Sequence, residues 1–158
     1  MTEATIPAHV RRFANLVNRP GGQTAEEAIG AASANLETIR DRVVAAIDTA
    51  LARMQALGIT LHAGHEAAAA QELYGLANTI VGLAGTAGLG SLGEVSYSLC
   101  ELIDRLRMAK IWNAQAIQFH LDALRRLQSA GSSEQAGTQA VKDALRRVVA
   151  RIPAPPTP

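Results

Sequence analysis

Apolar side chains between residues 36 and 127 recur at intervals of three and four, in four successive runs, and that pattern leaves little besides a set of packed helices. The first run is Leu36, Ile39, Val43, Ile47, Leu51 and Met54, closing at Gly58, with residues 59–64 as the connection. Leu73, Ala77, Ile80, Ala84 and Ala87 form the second, and Leu92, Val95, Leu99, Leu102, Ile103 and Leu106 the third. Ile117, Leu121, Leu124 and Leu127 complete the fourth. At about 100° per residue each run falls on one helical face. Aromatic residues make up only 3% of a chain rich in alanine, which favours helix over strand.

The punctuation agrees with the periodicity. Thr24 and Glu27 stand at capping-box spacing, a hydroxyl to accept the Glu27 N–H and a carboxylate to return the bond, so a long helix is expected to start there. Ser91 and Glu94 repeat that spacing ahead of the third run, after residues 88–90 end the second, and Asn113 can cap the fourth. Gly131 separates a fifth segment that begins near Ser132 or Ser133 and carries Val141, Leu145, Val148 and Ile152. Lys142, Arg146, Arg147 and Arg151 gather toward its C-terminal half, where cations suit the helix dipole, and are read as a solvated face. Ahead of all these, residues 7–17 make a short amphipathic segment with Val10, Phe13 and Val17 on one side. Residues 153–158 hold four prolines and are expected to be an extended tail.

The expected fold is therefore all-α: an up-down four-helix bundle over residues 36–130, with a helical N-terminal extension (1–35), a C-terminal helix (131–152) and the proline-rich tail. A net charge of +1 with 18% charged residues argues against a dedicated nucleic-acid binder or a polybasic membrane protein, and points to protein partners. The single Cys100 cannot form an intrachain disulfide and no secretory signal opens the sequence, so a reducing, cytoplasmic setting is expected. The most apolar stretch, residues 73–92, is interrupted by glycines and by Asn78, Thr79, Thr86 and Ser91, and is not read as a membrane span.

One strip of the second helix stands out. Asn78 lies about 200° round the helix from Ile80, on the side away from the core stripe. Gln71, Tyr74, Gly75, Val81, Gly82 and Gly85 fall within about 60° of it and carry no formal charge. A glycine inside a helix costs about 1 kcal/mol relative to alanine, so Gly75, Gly82 and Gly85 together forfeit about 3 kcal/mol of propensity. Core packing does not reward them, and some other property of the strip must.

Residues 78–88 resemble the signature of the histidine-containing phosphotransfer (HPt) domain, which runs His-x-Leu-Lys-Gly-x-Ala with a further Gly four residues on. Its places are held here by Asn78, Ile80, Val81, Gly82, Ala84 and Gly88. The resemblance covers about residues 36–130 and implies a four-helix bundle that docks a receiver domain or a histidine-kinase segment. In that family the glycine one turn past the histidine keeps the imidazole open to a close-approaching partner, and Gly82 occupies that place. The chemical residues differ. An amide nitrogen with its lone pair delocalised into the carbonyl cannot take a phosphoryl group, so Asn78 marks a degenerate phosphoacceptor position. Val81 offers methyl groups where the family has a lysine for the phosphoryl oxygens.

The histidines give weaker signals. His62 and His65, read as loop residues near the start of the second helix, lack the cysteine or carboxylate partners of a zinc site, and His9 is read as surface. His120, one position before Leu121 at the edge of the fourth stripe, is read as a boundary residue hydrogen-bonded within the bundle. Cys100 is read as a small core residue. No Walker loop, nucleophile elbow, dinucleotide fingerprint or paired-cysteine spacing is present. The sequence thus points to a noncatalytic binding module in bacterial two-component signalling, with no enzyme activity, cofactor, metal or nucleic acid. The alternatives are an active phosphotransfer protein using His120, or a helical scaffold that oligomerises, for instance as a homodimer, through its long first helix.

Overall fold

The computed structural model describes residues 22–64, 66–130 and 135–153, and among them all regular structure is helical. Five helices follow one another: α1 (Ala25–Ala63), α2 (Ala67–Ala87), α3 (Gly90–Ala109), α4 (Ala114–Ala130) and α5 (Gln135–Ala150). The amphipathic segment at residues 7–17, His9, His65, the starting serines Ser132 and Ser133, and the tail beyond Pro153 lie outside the described residues. The chain divides into two compact units, Met1–Ile39 and Arg40–Pro158. In the first, the described residues are exposed throughout, and the Thr24 capping box forms as expected: the Thr24 N–H reaches Glu27 Oε2 at 2.7 Å, and the Glu27 N–H reaches Thr24 Oγ1 at 3.1 Å.

The second unit is a helical bundle whose core takes the periodic residues of every helix. Met54, Leu73, Ile80, Leu99, Leu102, Leu121 and Leu124 lose all contact with solvent; removing any one of the leucines to its Cβ would cost about 2–5 kcal/mol. Helices α1 and α4 run antiparallel: Gln55 donates to the Leu121 carbonyl at 2.8 Å, and farther along Gln128 donates to Asp48 at 2.7 Å. Arg53 pairs with Glu72 to tie α1 to α2. Helices α2 and α3 are also antiparallel, with Gly93 against Ala84 at one end and Cys100 beside the Tyr74 carbonyl farther along. Helix α5 runs parallel to α3, with Lys142 on Glu94 and, farther along both helices, Arg105 donating to the Ile152 carbonyl.

The ends of the bundle helices follow local chemistry. Gly88, at φ 74°, takes the left-handed conformation that closes α2, its N–H on Gly85 and the Leu89 N–H on Ala84. Asn113 Oδ1 accepts the Ala116 N–H at 2.9 Å and caps α4 as expected. Lys110, the one non-glycine residue with positive φ among those described, closes α3 with the same bond pattern at φ 53°.

Several expectations need correction. Helix α1 does not stop at Gly58 but continues to Ala63, because Gly58 is a point of close approach: an added Cβ would sit 2.5 Å from Leu121 Cδ1. His62 therefore belongs to the last turn of α1, not to the start of the next helix. Leu36 and Ile39 are exposed, and burial on α1 becomes complete only at Ile47. No side chain caps α3, which begins at Gly90; Glu94 turns instead to Lys142 at 3.0 Å and Arg146 at 3.9 Å. Those two cations are thus ion-paired rather than simply solvated, while Arg147 and Arg151 stay exposed. The stretch most like a membrane span by length and composition is α1, not residues 73–92, and its apolar side chains Ile47, Leu51, Met54, Leu57 and Leu61 belong to the core.

Candidate functional site

Helix α2 is divided cleanly by its own period. Ala69, Ala70, Leu73, Ala77, Ile80, Ala84 and Ala87 are buried. Gln71, Gly75, Asn78, Gly82 and Gly85 are exposed on the other side, flanked by half-buried Tyr74 and Val81. A Cβ added at Gly75, Gly82 or Gly85 would meet nothing within 4 Å. Packing inside the fold therefore gives no reason for these glycines, in contrast to Gly58 and to Gly93, where an added Cβ would lie 3.0 Å from Ala84 Cβ.

Helix α3 supplies a rim that a reading of α2 alone does not reveal. Asn78 and Tyr74 border a cleft of about 390 Å³ whose far wall is Tyr97, Cys100, Glu101, Asp104, Arg105 and Met108. A second cleft, about 360 Å³, begins on the other side of Tyr74 and Asp104 and runs past Gln71 to Ile111 and Trp112. Tyr74 and Asp104 form the wall between the two. The strip on α2 is uncharged, but the rim is not. Glu101 is held by Arg105 at 2.6 Å and Asp104 by Arg107 at 3.0 Å, one helical turn apart in each case. Tyr97, Glu101, Asp104 and Met108 fall at helical spacing along α3, and that spacing is the signal in the sequence that could have found the rim.

The thiol and the phenol that line this site are both held in their protonated forms. The Cys100 thiol is buried, which together with the nearby Asp104 carboxylate pushes it up to about 11. Asp104 also raises the Tyr74 phenol above its ordinary value. No cluster of three or more histidine, cysteine or carboxylate side chains that could hold a metal occurs among the described residues.

His120 is not at the edge of the core but wholly inside it. Its Nδ1 lies 2.8 Å from the Ala116 carbonyl, which can only accept, so Nδ1 carries the proton and Nε2 accepts from the Ser98 hydroxyl at 3.0 Å. Both ring nitrogens are thus occupied and shielded. Burial lowers the pKa of His120 below 6.5, which keeps the ring neutral. His62 is exposed at the end of α1 and does not line either cleft beside Asn78.

Fold and site together describe an all-helical protein presenting an uncharged, glycine-bearing helix face beside a rim of paired charges. Comparison of the chain with protein-family models, with curated proteins and with solved structures finds no match in any of the three.

Proposed function

We propose that the chain is a noncatalytic, HPt-like binding module, an up-down four-helix bundle with additional helices at both ends. In this reading its α2 strip docks a receiver domain or a histidine-kinase segment of a bacterial, cytoplasmic two-component phosphorelay. It would compete with or sequester its partner rather than pass on phosphate. The observation that carries the reading is the open strip centred on Asn78, where three glycines face solvent with nothing above them. Glycines that serve no internal contact are accounted for if another protein must bring its backbone close to the helix, since each costs about 1 kcal/mol of helix propensity. The assignment to a phosphorelay rests on the residues of α2 and on no relative.

The test combines a shift map with a labelling assay. Adding receiver domains to isotope-labelled protein should move the backbone signals of Gln71, Tyr74, Gly75, Asn78, Val81, Gly82 and Gly85, and Gly82→Arg should abolish the shifts while leaving the fold intact. Shifts confined to another face, or none with any receiver, would refute the docking reading. Acid-labile phosphate on a histidine after incubation with a phosphorylated receiver would refute the noncatalytic part. Loss of that label in His120→Ala would identify the buried ring as the acceptor, which requires the core around it to open.

A further inference from the structure

The apolar residues of α1 ahead of Ile47 have a pattern of their own. Ile29, Leu36 and Ile39 are 67%, 66% and 49% exposed. With exposed Ala25 and Ala32, and with Val43, which is half-buried against the bundle core, they recur at alternating steps of four and three. This is the seven-residue repeat by which two helices wind around each other, with Ile29, Leu36 and Val43 at a positions and Ala25, Ala32 and Ile39 at d.

We infer that this stretch of α1 pairs antiparallel with the same stretch of a second copy of the chain. In an antiparallel pair a positions face d positions, and one two-fold axis beside residue 34 matches them all. Ile29 of one copy then meets Ile39 of the other, Leu36 meets Ala32, and Val43 meets Ala25. Two of these three layers set a large side chain against a methyl group, which brings the helices close together. The e positions fix the direction: Glu26 of each copy falls beside Arg40 of the other, with Ser33 against Ser33 between the two pairs. Neither Glu26 nor Arg40 has an ion-pair partner among the described residues. A parallel alignment would instead set Ala28 beside Ser33 and Asn35 beside Arg40, with no opposite charges. The pattern is self-complementary, as an interface across a two-fold axis requires, and that is why the partner is a second copy rather than another protein.

Sedimentation equilibrium of the full chain over a wide concentration range tests this. A monomer–dimer equilibrium is expected, and Leu36→Asp should shift it to monomer without changing the urea midpoint of the bundle. Glu26→Lys and Arg40→Glu should each weaken the dimer about three- to thirtyfold, since each disrupts two symmetric exposed pairs. The double variant E26K/R40E should recover the wild-type constant. A wild-type chain that stays monomeric, or a dimer insensitive to Leu36→Asp, overturns the inference. Failure of the double charge reversal to restore association overturns the antiparallel register.

Discussion

Alanine in place of glycine should act in opposite directions at Gly75 and Gly82 on one side and Gly58 on the other, because the three sites differ in what a new methyl group meets. All three lie inside helices, so each substitution gains about 1 kcal/mol of propensity. Above Gly75 and Gly82 there is nothing within 4 Å, and the whole gain should be realised. Gly75→Ala with Gly82→Ala should add about 2 kcal/mol, a rise in Tm of about 4–8 °C for a domain of this size. At Gly58 the methyl group would lie 2.5 Å from Leu121 Cδ1, so the fully buried Leu121 would have to shift within the core. Overpacking of that kind costs about 1–3 kcal/mol, which cancels or exceeds the propensity gain. Urea unfolding followed by circular dichroism, with the slope checked for constancy, reads both signs. A lower midpoint for the Gly75/Gly82 pair, or a gain of about 1 kcal/mol from Gly58→Ala, would refute the geometry. On the proposed docking, the stabilised pair should also bind a receiver domain less tightly, because the added methyl groups would stand where a partner's backbone is proposed to approach. Stabilisation with undiminished affinity would show that the glycines are not there for clearance.

Three further outcomes follow from individual groups. The Ser96 hydroxyl is buried without a hydrogen-bond partner, so Ser96→Ala should raise stability by about 1 kcal/mol in the same urea assay. Lys110 holds a left-handed conformation that penalises a Cβ, and Lys110→Gly should stabilise by about 0.5–1 kcal/mol, with the gain appearing as a higher Tm. His120 is held below 6.5 by burial, so the unfolded chain takes up the additional proton. Its contribution is complete above pH 6.5 and is lost as the pH falls from there through the folded value. The urea midpoint should therefore drop on the acid side, and His120→Gln should flatten that part of the profile.

The helices were legible because their apolar period is a property of each segment alone. What the sequence left obscure depends on neighbours that a single segment does not name. Gly58 has the composition of a helix stop, yet it serves as the place where α4 comes close to α1. Ser91 and Glu94 have the spacing of a capping box, yet Lys142 from a distant helix competes for the same carboxylate and wins. His120 looked peripheral because it sits one step off a narrow stripe. Helix α4 in fact buries Ala116, Ile117, His120, Leu121, Ala123 and Leu124, a broad arc, since α1, α3 and α5 all supply residues that meet it.

The candidate site divides along the same line. The residues around Asn78 could be placed from α2 alone, because whatever a helix does not turn toward its core it turns away from it. The rim on α3 depends on the antiparallel register that sets Tyr74 beside Cys100 and Asp104, and no helical wheel of one segment contains that register. The rim changes the character of the face. In the proposed docking, a partner would meet an uncharged ridge and, beside it, carboxylates already neutralised by Arg105 and Arg107. Attraction at long range is therefore weak, and recognition must come from close fit over the glycines and from the aromatic and sulfur-bearing side chains of Tyr74, Tyr97 and Met108. Such a surface selects by shape rather than by charge.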